Sequence, residues 1–236
     1  MNMRRFIMCT FVVASSAALP ATGFAACDAR SGPKTAVLVE LYTSEGCSSC
    51  PPADQQLRRL RQVLDPTAEV VPLALHVGYW NYVGWKDPYA QASFGERQSW
   101  LVHANQRNTV YTPQFFVSGS ELRSWEGGLR EKVRQLNALP APAAVRVQAN
   151  IAPNGTLVLN AEATARGEVE PAALYLALAE SGLVSPRPWN SSRGLATPFL
   201  MRKFMTLWAR RSESLRLKSW VPVSSAWPST ETRLIC

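Results

Sequence analysis

Apolar and polar positions fall into blocks whose spacing changes along the chain. Ala36 to Thr43 (AVLVELYT) is a β-branched, apolar run that predicts a mostly buried strand, and Val70 to Val77 (VVPLALHV) predicts a second. Between them, Leu57, Leu60, Val63 and Leu64 recur at helical spacing, with Arg58, Arg59 and Arg61 on the other side. Pro51 and Pro52 suit the first turn of that helix, where the missing N–H groups cost nothing, and Asp65-Pro66 ends it. Residues 79–88 are rich in Trp and Tyr and read as a loop leading into a helix from about Tyr89 to Gln106. Gln114 to Ser118 (QFFVS) predicts a third strand, and a helix is expected from about Leu129 to Leu139 after Gly127-Gly128. Strand–helix–strand–helix followed by strand–helix is an α/β order.

Pro140 to Ala144 reads as a linker. Beyond it, Val145 to Ala149 and Thr156 to Ala161 alternate around Pro153-Asn154-Gly155, a hairpin signal. Ala172 to Leu183 is expected to add a strand to the same small β unit. No internal repeat is present. The expected organisation is a leader over 1–25, an α/β domain over 34–139, a β extension over 145–185 and a divergent basic tail over 186–236, disordered or frameshifted.

The leader follows from Arg4 and Arg5, the apolar stretch Phe6 to Leu19, Pro20 and the small residues around Ala25. This is the pattern of a secretory signal, and it predicts a periplasmic or secreted protein. No later segment is long and apolar enough for a membrane helix. The net charge of +8 is unevenly placed: Arg4 and Arg5 carry +2, residues 187–236 carry +7 and the remaining body −1. A near-neutral body argues against a nucleic-acid surface.

Of five cysteines, Cys9 lies in the leader, leaving Cys27, Cys47, Cys50 and Cys236. A Cys47–Cys50 disulfide closes a loop too small to stabilise much through chain entropy, so the pair is better suited to exchange. Cys47 stands just before a helix, where unpaired N–H groups and the helix dipole favour thiolate over thiol. Glu45 nearby opposes that. Cys47 is therefore assigned as the nucleophile and Cys50 as the resolving thiol. The alternatives are a structural disulfide and half of a zinc site, although only His76 and His103 are available and there is no second CxxC. No metal or cofactor is expected. A copper carrier using Cys47, Cys50 and His76 is the rival function, since thiolates and imidazole suit copper. A non-catalytic binding module is a further one.

VLVELYTSEGCSSCPPADQQL, then HVGYWNYVGWKDPYA, then VYTPQFFVSG, together resemble a secreted bacterial family known as domain of unknown function 1223, within the thioredoxin-like superfamily. The resemblance spans roughly residues 34–185. It implies a thioredoxin-like α/β fold with a small C-terminal β extension, and no established substrate. Thr112-Pro113 stands where such a fold places a cis-proline, whose preceding residue offers its backbone to an extended substrate; the other reading is an ordinary trans proline capping a strand. Glu40 stands in the strand that precedes the CxxC in general thioredoxins. It is either a buried acid that accepts the proton of Cys50 or a carboxylate paired with a neighbouring Lys or Arg. Gly78 and Asn81 occupy positions where aspartates are expected in the family. The expected partners are protein or small-molecule thiols and disulfides.

Overall fold

The computed structural model describes residues 26–154, 156–167, 173–180, 183, 200–208 and 214–222. The leader and most of residues 186–236 lie outside the described residues. Strand β1 spans Ala26–Arg30 and β2 Val37–Thr43, and helix α1 spans Pro51–Val63. Strand β3 (Val70–His76) leads through a 3₁₀ turn (Gly78–Trp80) to α2 (Ala92–Ala104). There follow β4 (Gln114–Val117), β5 (Ser120–Glu121) and α3 (Trp125–Asn137). The remaining strands are β6 (Ala143–Ile151), β7 (Thr156–Ala165), β8 (Ala173–Glu180), β9 (Leu200–Trp208) and β10 (Ser214–Pro222).

Two sheets result. The larger has the order β5-β4-β2-β3-β9-β8, with β2 and β3 parallel and β4 antiparallel to β2. The smaller is antiparallel, in the order β1-β6-β7-β10. β2 is buried on both faces, as its near-continuous apolar run requires, and its alternate residues meet different helices. Val37, Val39 and Leu41 pack with Ala53, Leu57 and Leu60 of α1 and with Leu129 and Val133 of α3. Tyr42 turns the other way, joining Phe116 with Phe94, Leu101 and Val102 of α2. β3 divides likewise: Val70 and Ala74 face α1, and Leu73 and Leu75 face α2.

Several elements differ from the sequence reading. β8 is not part of the small β unit; it pairs with β9 at the edge of the larger sheet. Two segments of the basic tail are paired strands, β9 beside β3 and β10 beside β7 over nine registered positions. The β extension is completed by β1, five residues whose pairing with β6 has no strong apolar signal. Val63 is 49% exposed and does not belong to the buried stripe of α1. α2 begins three residues after Tyr89, because the backbone N–H of Tyr89 is turned onto Asp87 Oδ1 at 2.9 Å. α3 begins before the Gly127-Gly128 pair, with Trp125 packed on Phe115 at 5.3 Å between rings.

Candidate functional site

Cys47 and Cys50 form a disulfide with Cα atoms 5.5 Å apart. The chain leaves β2 at Thr43, turns through Ser44 to Gly46, and closes a turn in which Cys50 N–H donates to the Cys47 carbonyl at 3.4 Å. Cys50 is the N-cap of α1, with Pro51 and Pro52 at the first two helical positions. Both sulfur-bearing residues are shielded: Cys47 is 4% exposed and Cys50 is wholly buried, while Ser48 and Ser49 are exposed. The Ser49 hydroxyl lies 3.5 Å from Cys47 Sγ.

The aromatic loop packs beside the pair. An added Cβ at Gly46 would come within 2.8 Å of Trp80 Cβ and 3.1 Å of its carbonyl oxygen, so the loop packs directly on this backbone. Trp85 Nε1 donates to Glu45 Oε2 at 2.6 Å, and Trp80 Nε1 donates to Thr112 Oγ1 at 2.7 Å. The loop is thus fastened to the approach to the disulfide and to the segment before β4. Tyr82, 80% exposed and stacked on Trp80, stands at its rim.

The Thr112–Pro113 bond is cis. Because β2 and β4 are antiparallel, with Tyr42 opposite Gln114, the start of β4 and the end of β2 share one edge of the sheet. That register, with Trp80 touching both segments, brings Thr112 and Pro113 to the disulfide end of the molecule. Gln98 of α2 holds the segment from behind, donating to the Tyr111 carbonyl at 2.8 Å and to Gln114 Oε1 at 2.7 Å. Among the described residues no backbone hydrogen bond engages Thr112.

Glu40 is elsewhere. Its carboxylate is fully buried and accepts two bonds from Arg97 of α2, at 2.6 and 3.1 Å, and one from Tyr42 OH at 3.4 Å. Strand alternation puts it on the α2 face, whereas α1 and the disulfide cover the opposite face. Of the two readings of Glu40, a proton acceptor for Cys50 or a carboxylate paired with a basic residue, the geometry is that of the second, with Arg97 as the partner. Arg97, for which burial alone would lower the pKa, is held above its ordinary value by this pairing. Its guanidinium also stands 5.5 Å from the ring centre of Tyr175.

A polar cluster the sequence reading did not assemble lies on the α1 face. Thr43 and His76 end β2 and β3 in direct register, and alternation from Leu41 and Ala74 directs both side chains toward α1. His76 Nδ1 is 2.7 Å from Asp87 Oδ2, which also accepts from the backbone N–H of Glu45 at 2.8 Å. Burial would raise the Asp87 pKa, but His76 and the N–H groups of Glu45 and Tyr89 hold it below its usual value. Asp54, one helical turn after Cys50, faces the same cluster. Burial pushes its carboxyl up to about 6, against the opposing influence of His76, Thr43 and Arg58, with Asp87 pushing the same way as burial. Thr43 Oγ1 and His76 Nε2 are buried and have no hydrogen-bond partner. The signals for this cluster were the Cys50/Asp54 spacing of four and the Asp of GWKDP.

Among the described residues, no three His, Cys, Asp or Glu side chains converge in a way that would hold a metal ion. Among those residues, too, no helix is long and apolar enough to cross a membrane.

No curated protein matches this chain. A crystal structure of a protein from Agrobacterium tumefaciens is similar at 27% identity and a TM-score of 0.55, covering 77% of each chain. HBP35 of Porphyromonas gingivalis is similar in fold at 16% identity and a TM-score of 0.62, over 81% of this chain and 65% of that one. The family described as protein of unknown function (DUF1223) matches residues 38–235, running through the basic segment where the resemblance was expected to stop at 185, and the chain belongs to that family.

Proposed function

We propose that this chain is an exported, thioredoxin-like thiol–disulfide oxidoreductase in which Cys47 is the nucleophile and Cys50 the resolving thiol. The observation that carries the reading is a CxxC disulfide at the start of a helix, on the same sheet edge as a cis Thr112–Pro113. The helix start offers the positive end of its dipole to a sulfur that becomes anionic. Cys50 is sealed beneath the helix start, so Cys47 is the sulfur that a partner reaches.

In the reducing direction, the Cys47 thiolate attacks a substrate disulfide and expels one substrate thiolate, forming a mixed disulfide. Cys50 then loses its proton and attacks Cys47 Sγ, releasing the second substrate thiol and forming the Cys47–Cys50 bond. The oxidising direction is the reverse. Thr112, with its backbone unengaged at the same edge, is proposed to pair with the extended substrate chain. The exposed Tyr79, Tyr82 and Val83 beside the disulfide favour a protein substrate over a small thiol. The leader pattern supports export to the periplasm or beyond.

The test is the reduction potential of the pair in purified mature protein, followed by alkylation and mass in glutathione buffers. A reversible two-electron transition roughly between −120 and −270 mV, the span of known exchange proteins, is the expected result. A pair that never cycles overturns the proposal.

A further inference from the structure

The resolving step requires Cys50 to give up a proton while sealed from solvent. A buried thiol loses its proton most readily to a group packed beside it, and Glu40 is on the wrong face of the sheet for that. Asp54 is placed for it. Residues four apart on a helix share a face, with Cβ atoms about 5–6 Å apart. Cys50 and Asp54 have that spacing, confirmed by the bond of Asp54 N–H to the Cys50 carbonyl at 3.1 Å. The groups that act on the Asp54 carboxyl include Thr43 and His76, whose Oγ1 and Nε2 atoms are shut off from solvent. Behind His76, Asp87 anchors Nδ1 and is itself fixed by the Glu45 and Tyr89 N–H groups.

Such an arrangement is poor architecture if its only role is packing. A fold that needed only a filler under α1 would use an apolar residue, as it does at Ala53 and Leu57. We propose, on the basis of the oxidoreductase reading above, that Asp54 takes the proton from Cys50 as it attacks the mixed disulfide, and returns it when the Cys47–Cys50 bond is reduced. Thr43 and the His76–Asp87 pair position the Asp54 carboxyl and accommodate its change of charge. The balance is complete: the Cys50 S–H bond breaks, the Cys50–Cys47 bond forms, the Cys47–substrate bond breaks, the substrate leaves as thiolate, and the proton resides on Asp54. The groups around this carboxyl are Arg58 on α1, His76 on β3 and Asp87 in the aromatic loop; Thr43 on β2 is uncharged. A carboxyl pushed up to about 6 by burial is near the pH at which it can both accept and return a proton.

The reduced mature protein carrying Cys27→Ser and Cys236→Ser, so that Cys47 and Cys50 are its only thiols, mixed with Ellman's reagent in a stopped-flow instrument, separates the two steps. The first release of thionitrobenzoate reports attack by Cys47, and the second reports attack by Cys50. In wild type the second phase should show an inflection near the Asp54 pKa. Asp54→Asn should slow the second phase tenfold or more between about pH 6 and pH 8 and leave the first phase within about twofold, with Asp54→Glu restoring part of it. If Asp54→Asn does not fold, infrared difference spectra of wild type decide. A protonated carboxyl band that differs between the oxidised and reduced protein supports the assignment, and its absence overturns it. Two normal phases with the same pH profile in wild type and Asp54→Asn overturn the Asp54 assignment alone. Absence of both phases in wild type overturns the oxidoreductase reading, and this inference with it.

Discussion

Glu40→Gln tests whether the two buried acids of this fold have been assigned to the right faces. The substitution keeps the shape of the side chain and removes its charge. It leaves Arg97, only 16% exposed, facing a neutral amide in place of a carboxylate that accepted two of its N–H groups. Breaking a buried ion pair from one side costs about 3–5 kcal/mol. Here the cost is smaller, because one Gln oxygen still accepts a bond and the guanidinium keeps its contact with Tyr175 and a margin of solvent. About 2–3 kcal/mol is the expected loss, which for a chain of this size lowers Tm by roughly 4–12 °C.

The same substitution should leave the redox chemistry alone. Glu40 is separated from the Cys47–Cys50 pair by the sheet itself, so its midpoint in glutathione buffers should remain within about 10 mV of wild type, under roughly 0.5 kcal/mol. Thermal melts and the alkylation titration on the same preparation give both numbers. Adding Arg97→Met to Glu40→Leu removes both charges and should recover much of the stability, as replacement of a buried pair by apolar groups often does. A potential moved by 30 mV or more, with Tm unchanged, would falsify the placement of Glu40 as a structural ion pair.

Asp54→Asn carries the opposite sign in stability. The folded-state pKa is raised from 3.8 to about 6, so the fold favours the protonated form. That contribution is fully present below about pH 3.8 and is lost as pH rises through about 6. Near pH 8 the variant should be more stable than wild type by about 1–3 kcal/mol, with the gap closing toward pH 4; a variant less stable than wild type at pH 8 refutes this. Gly46→Ala drives a methyl into Trp80 and should cost about 1–3 kcal/mol while loosening the aromatic loop, so that alkylation of the reduced Cys47 by a bulky maleimide accelerates. An unchanged alkylation rate would show that the loop does not control access. Trp85→Phe removes the donor to Glu45 and should have the same effect on access, with a loss of about 1–3 kcal/mol from an under-satisfied buried carboxylate.

What the sequence made legible was local. The apolar stripe of α1, the runs of β2 and β3, the hairpin around Asn154 and the CxxC at a helix start all follow from spacing within a few residues. The strands that end up far from their chain neighbours were not legible. β8 leaves the hairpin it follows and joins the larger sheet, and β10 returns to β7 across nearly fifty intervening residues; nothing in the pattern of either strand specifies its place. The choice between the two readings of Glu40 was open for a definite reason. Alternation reveals which face of a strand is buried only when one face is wet, and β2 is buried on both, so its sequence did not say which parity α1 would cover. Leu41 and Thr43 belong to that parity; Glu40 and Tyr42 do not.

Once that parity is known, the site has a simple logic. The sheet edge that presents the disulfide also ends β2 and β3, and the residues closing those strands on the α1 face are Thr43 and His76, where Leu41 and Ala74 precede them on that face. Polarity therefore appears in that strand face just where α1 begins. Asp87 reaches the same point from the aromatic loop, and that loop also packs on Gly46, the residue before Cys47. The packing beside Cys47 and the anchor of His76 are thus parts of one segment, residues 78–89. A movement of this loop that exposes Cys47 also disturbs the Asp87 anchor of His76. Access to the disulfide and the charge environment of Asp54 are physically linked, so Gly46→Ala and Trp85→Phe should alter the pH profile of the resolving phase as well as the rate of attack on Cys47.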